Sequence, residues 1–160
     1  KGYRKIKTKF ILKETFNIDL KRGEQIELFI LSLIQKKYPL AYKVEGYFKD
    51  YDLYIPETNK SVEVKCDEKS KYTGNLVVEV EFNNKPSALS TTKADYWVWY
   101  DGHYISIFKT ESIHKFIKDY KPKLYSFIGK GDTKEKKAYL VKKDLIYKYA
   151  EKKIIKPNIL

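Results

Sequence analysis

Asp52 and Glu63 are separated by ten residues, and Glu63 and Lys65 by one. Two carboxylates and an ammonium group can hold a hard divalent cation and act on a phosphodiester, provided the chain brings them together. The intervening segment suggests how. Residues 56–59 (PETN) are turn formers between YDLYI and the alternating run KSVEVKC, which reads as a β-hairpin with a four-residue loop. Ile55 then faces Lys60, and stepping outward sets Asp52 opposite Glu63 and Asp50 opposite Lys65. Side chains alternate along a strand. One face therefore carries Asp50, Asp52, Glu63 and Lys65, while Val62, Val64 and Cys66 suit a core.

Directly opposed carboxylates destabilise a strand pair and raise each other's pKa. A divalent cation removes both problems. Mg2+ accepts one or two carboxylates, keeps several waters and binds a substrate phosphate. It would polarise the scissile phosphate and acidify a water, with Lys65 placed to stabilise developing negative charge or to position the nucleophile. Asp52 and Glu63 are thus the candidate ligands of Mg2+ or Mn2+, and Lys65 the candidate catalytic cation. The competing reading of the same spacing is a solvated strand face of paired acids and lysines.

The charge distribution favours a polyanionic partner. The 160 residues carry a net charge of +12. Residues 1–22 contribute +6 (eight basic, two acidic), residues 23–108 contribute −3 (ten basic, thirteen acidic), and residues 109–160 contribute +9 (fifteen basic, six acidic). An acidic middle between basic flanks fits DNA, because phosphate neutralisation supplies most non-specific affinity. The length suits one domain spanning residues 1–160. No apolar run approaches the roughly 20 residues of a membrane span. The basic start, KGYRKIKTKF, has no apolar stretch behind it, which predicts no secretory signal and an intracellular location, in a prokaryote or a virus-infected host cell. The single cysteine, Cys66, cannot form an internal disulfide, and His103 and His114 fall in different segments. No zinc site follows from them.

The elements that must position the acids are legible from periodicity. Ile26, Phe29, Ile30, Leu33 and Ile34 predict a helix over 23–38 that ends before Pro39. Strands are expected within 42–55, at 60–66 and at 75–82, with polar connections at 67–74 and 83–93. ADYWVWY and HYISIFK flank Asp101-Gly102, a two-residue hairpin signal. Trp97 and Trp99 share one strand face and suit a core. A helix is expected over 111–120, a glycine- and lysine-rich loop running into a short strand over 127–141, and a last helix over 143–153. The expected class is α/β or α+β: a helix, a mostly antiparallel sheet, then helices.

Asp52 followed by Glu63-Val64-Lys65 resembles the signature of the PD-(D/E)XK nuclease superfamily, which includes restriction enzymes and archaeal Holliday junction resolvases. The resemblance spans roughly residues 21–145. It implies a restriction-endonuclease-like mixed central sheet flanked by helices, with the acids on a central hairpin. It implies Asp52 and Glu63 as metal ligands, the Val64 carbonyl as a third, and Lys65 as the catalytic lysine. Residues 21–27 (KRGEQIE) resemble the start of the resolvase first helix, which implies that Glu27 reaches the metal, with Glu24 one turn earlier as its competitor. Tyr51 stands where the name motif has proline, a variable position.

A second block is similar to phage- and virus-type members: residues 73–79 (TGNLVVE), residues 90–97 (STTKADYW) and the loop Gly129-Lys130-Gly131-Asp132. It implies Glu79 as a further acid, with an outward strand residue as its alternative, and Thr91, Thr92, Lys93 and Lys130 as DNA contacts. The expected activity is metal-dependent DNA endonuclease. Two alternatives stand beside it: a junction resolvase, which requires a homodimer, and a catalytically silent DNA-binding module on a nuclease fold.

Overall fold

Apolar residues at three- and four-residue spacing give the first helix one buried stripe. In the computed structural model, which describes residues 21–47, 49–129 and 131–158, α1 (residues 21–35) buries Ile26, Ile30 and Leu31. The Tyr38 N–H still donates to the Ile34 carbonyl before Pro39 turns the chain away. The expected helix thus ends a few residues early. Arg22 ties its N-terminal end to the rest, with Nε 2.7 Å from Glu68 Oε1 and the guanidinium over the Tyr100 ring.

Beneath α1 runs a six-stranded sheet in the order β1 (Tyr42–Lys43), β2 (Leu53–Ile55), β3 (Lys60–Cys66), β6 (Tyr96–Tyr100), β7 (Tyr104–Lys109), β10 (Lys152–Ile155). It is mixed: β3 and β6 are parallel and all other pairs are antiparallel. A parallel pair needs a long crossover. Here the crossover includes α2 (Ser70–Thr73) and two strands of a second sheet. That antiparallel sheet has the order β5 (Lys85–Pro86), β4 (Asn75–Phe82), β9 (Lys136–Lys142), β8 (Leu124–Phe127).

Two cores follow from strand alternation. Leu53, Ile55, Val62, Val98, Tyr100 and Ile105 face α1. On the opposite face Trp97, Trp99 and Phe108 pack with Leu76, Val78 and Val141 of the second sheet and with Ile113 and Phe116 of α3 (Thr110–Tyr120). The molecule is therefore mixed α+β, with a mixed sheet covered by helices. Both tryptophans are 1% exposed and serve packing, as their spacing indicates. Among the described residues, no helix is long and apolar enough to cross a membrane.

Several expectations are corrected. The single, mostly antiparallel sheet is two sheets, because β4 leaves β3 to pair with β9. The strand within 42–55 is broken by the irregular segment 44–52. The loop at 67–74 contains α2, and β8 forms just ahead of the loop expected from residue 127, sharing only Phe127 with it. The last helix is one turn, α4 (Lys143–Ile146), followed by a 3-10 turn at Tyr147–Tyr149. Residues 152–155 instead form β10, where Ile154 pairs with Ile105 and packs on the α1 core. Docking on the free edge of β7 overrides the weak helical preference of KKII. At the β6–β7 turn, the Asp101 N–H donates to the Tyr104 carbonyl. Gly102 and His103 are therefore the two central residues, with Gly102 at φ +92. The basic residues 1–20 and Lys130 lie outside the described residues.

Candidate active site

The β2–β3 hairpin has the expected register where it is regular: Ile55↔Lys60, Tyr54↔Ser61 and Leu53↔Val62. Past Leu53 the ladder slips by one residue. The Asp52 N–H donates to the Val62 carbonyl at 3.0 Å, and the Asp52 carbonyl accepts from the Val44 N–H at 2.8 Å. The Val64 N–H, denied a strand partner on β2, donates to Asp52 Oδ2 at 2.8 Å. Such irregularities re-aim a side chain. Here the slip turns the Asp52 carboxylate in against β3, leaving the residue 8% exposed. The pairings that would set Asp52 opposite Glu63 and Asp50 opposite Lys65 consequently do not form, and Asp50 is exposed.

Glu63 and Lys65 share a face of β3, and Lys65 Nζ lies 3.3 Å from Glu63 Oε1. Their β6 partners are Trp97 and Trp99, and the Lys65 ammonium sits 5.2 Å from the Trp97 ring centroid. The indole face favours a cation and walls the ammonium from below. Burial pushes the Glu63 carboxyl above its usual range. Lys65 opposes that rise and the Asp52 charge adds to it.

From α1, Glu27 reaches the same neighbourhood. Its Oε1 is 3.6 Å from Lys43 Nζ and 3.7 Å from Lys49 Nζ, and Lys49 Nζ is 3.1 Å from Asp52 Oδ1. Glu27 Oε1 is buried and, among the described residues, makes no hydrogen bond within 3.5 Å, the two ammonium groups lying just beyond. Burial pushes the Glu27 carboxyl up and Asp52 adds to the rise, while Lys49 and Lys43 pull it back. Burial disfavours charge on Lys49, yet its hydrogen bond to Asp52 and the charges of Asp52, Glu27 and Glu63 hold its pKa above the usual value. Glu24 is exposed on α1. Of the two helix acids, Glu27 alone faces Asp52.

Of these groups, Glu63 and Lys49 open onto a cleft of about 380 Å3 whose lining also includes Asp50, Ala88, Thr91, Thr92, Lys93 and Trp97. The residues 91–93 expected to contact DNA are thus beside Glu63, from a distant part of the sequence. Thr91 and Lys93 are exposed. Thr92 is committed to structure, its Oγ1 accepting from the Trp97 indole and from the Ala94 N–H, both at 3.2 Å.

Glu79 points to different partners. Its carboxylate accepts from Ser87 Oγ at 2.9 Å and lies 3.5 Å from Lys136 Nζ, which also pairs with Asp132. No contact joins it to Asp52 or Glu63, because β4 belongs to the second sheet. Cys66 ends β3 away from the acids. It is exposed rather than part of the core that its alternation suggests; desolvation, then the Glu68 charge, push its thiol up to about 11.

Sequence reading missed Lys43 and Lys49. The signal for Lys49 is its i,i+3 spacing to Asp52; nothing local marks Lys43. Together with Lys65 they interleave with the carboxylates. As the side chains stand, no three Asp, Glu, His or Cys groups among the described residues are close enough to enclose an ion. The donor set is nevertheless all hard oxygen, and the buried Glu27 Oε1 is an acceptor suited to a cation. By donor type alone Glu27, Asp52 and Glu63 are compatible with Mg2+ or Mn2+, but three lysines stand among them. No family model matches this chain, and no curated protein or solved structure is found to be similar to it.

Proposed function

We propose that this chain is a divalent-cation-dependent DNA endonuclease of the PD-(D/E)XK type, with a restriction-endonuclease-like core. The observation that carries the reading is the convergence of Glu27 from α1, Asp52 from the slipped end of β2, and Glu63 with Lys65 from β3, beside one cleft. A solvated strand face would not bury Asp52.

Glu27, Asp52 and Glu63 would hold the cation, and the Val64 carbonyl is the fourth candidate oxygen. When bound, the cation supplies Lewis-acid polarisation of a phosphoryl oxygen and a lowered pKa for water. The chain's own groups do the rest. Lys65, walled by Trp97 and oriented by Glu63, offers N–H donors where negative charge develops on the phosphate, or orients the attacking water. Lys93 and the Thr91 hydroxyl, on the opposite lip of the cleft, fix flanking phosphates. Such contacts set register without reading bases. The +9 segment over residues 109–160 adds long-range attraction for a polyanion.

The purified chain with Mg2+ is offered linear duplex, single-stranded, flapped and four-way-junction DNA. Wild type cuts at least one of them. Asp52→Asn and Lys65→Met bind the same DNA but cut about 10²–10³-fold more slowly, the size of losing one electrostatic stabiliser. Cleavage by either variant at the wild-type rate rejects the site. Symmetric cutting of the junction alone would select the resolvase form of the activity.

A further inference from the structure

Three ammonium groups meet three carboxylates in the acidic pocket. Lys43, Lys49 and Lys65 stand against Glu27, Asp52 and Glu63, so the cluster is formally neutral. Adding a divalent cation without other change would leave it at +2. Lys49 is the ammonium that touches two of the acids. Its Nζ lies 3.1 Å from Asp52 Oδ1 and 3.7 Å from Glu27 Oε1, and it also donates to the Val44 carbonyl at 3.4 Å. An ammonium and a divalent cation held on the same Asp52 oxygen would repel each other at short range, so the two compete for that carboxylate. The residue sits in the irregular segment between β1 and β2, its side chain is 23% exposed, and its flexible stem opens onto the cleft.

We propose that Lys49 is a built-in counter-ion that competes with the divalent cation for Asp52 and Glu27, and that cation loading displaces its ammonium from the pocket into the cleft. The inference rests on the reading above that these acids hold a cation. In the cation-free protein Lys49 bridges Asp52 and Glu27 and offsets part of the repulsion between them. On loading, the displaced charge moves toward the lip formed by Thr91 and Lys93, where a phosphate would lie.

The test is calorimetric titration of Mn2+ into the full chain without DNA, for wild type, Lys49→Met, Lys49→Gln, Lys43→Met and Asp52→Asn, with each variant's thermal melt recorded as a check of folding. Removing the competitor is expected to tighten Mn2+ binding about tenfold in Lys49→Met and Lys49→Gln. Lys43→Met, which frees only Glu27, gives a smaller gain, and Asp52→Asn loses binding. Should the folded Lys49 variants bind Mn2+ no more tightly than wild type, the counter-ion role is overturned while the cation site stands. An equal gain in Lys43→Met overturns the specific role of Lys49 in favour of general charge. If wild type and the Lys49 variants all fail to bind Mn2+, the cation-site reading falls and takes the inference with it.

Discussion

Replacing Asp101 by alanine removes a fully buried carboxylate that joins the β6–β7 turn to the C-terminal segment. Its Oδ1 accepts from the backbone N–H groups of His103 (2.8 Å) and Tyr104 (2.6 Å). Its Oδ2 accepts from the Tyr147 hydroxyl and from Lys143 Nζ at 3.3 Å. The alanine would leave four donors unpaired, one of them a lysine whose side chain is only 14% exposed. Stranding one member of a buried charged pair costs about 3–5 kcal/mol. In a chain of this size each kcal/mol shifts Tm by about 2–4 °C, so Asp101→Ala should melt about 6–20 °C below wild type. Asp101→Asn keeps Oδ1 but points an amide at Lys143 and Tyr147, and should fall between the two.

The pH dependence has a definite sign. Burial alone would raise the Asp101 carboxyl, but the Tyr147 hydroxyl, the Tyr104 and His103 N–H groups and Lys143 outweigh it and hold its pKa below the ordinary value of 3.8. A lowered carboxylate pKa stabilises the fold above the unfolded value and ceases to do so as pH falls through the folded one. The gap between wild type and Asp101→Ala should therefore be full at pH 7 and shrink below about pH 4. Urea unfolding followed by circular dichroism at a series of pH values measures it. A loss under 1 kcal/mol at pH 7, or a gap that grows on acidification, would refute the reasoning.

Further outcomes follow from the candidate site. Saturating Mg2+, at a hundred times its Kd, should stabilise the wild-type fold by about 2.7 kcal/mol, or roughly 5–11 °C in Tm; Glu63→Gln should lose most of that shift in the same scanning-fluorimetry experiment. Lys93→Ala should weaken DNA binding across sequences and reduce the salt slope, log Kd against log salt, by about one, while single-turnover cleavage of saturating DNA changes little. Gly102→Ala places a Cβ at φ +92 and 3.0 Å from Lys71 Cδ. It should cost about 1–2 kcal/mol in urea unfolding and leave Mn2+ affinity unchanged.

How much of this was visible in the residues varied with the range of the interactions. Strands β3 and β4 begin and end where alternation places them, because each is set by its own two-residue period. The face shared by Glu63 and Lys65 needs only that period. The convergence with Asp52 needs the hairpin register as well, which the PETN turn supplies for three pairs. What the sequence could not show is non-local. The slip at Asp52 depends on the Val44 and Val62 backbone. The seats of Lys43 and Lys49 depend on how α1 lies over the hairpin. Glu79 was separated from the acids when β4 joined another sheet, a partner choice that no local pattern encodes. Residues 152–155 follow the edge of β7 rather than their own weak propensity. Asp101 looked like a turn residue because its two turn hydrogen bonds are local; its bonds to Lys143 and Tyr147 span more than forty positions.

The most direct test of the account is to locate the cation. Crystals of the full chain grown with Mn2+ and measured at the manganese absorption edge should give an anomalous peak within coordination distance of Asp52 and Glu63, with Glu27 turned toward it and Lys49 Nζ withdrawn. A peak only at other residues, with Lys49 still seated between Asp52 and Glu27 in the presence of saturating Mn2+, would contradict it.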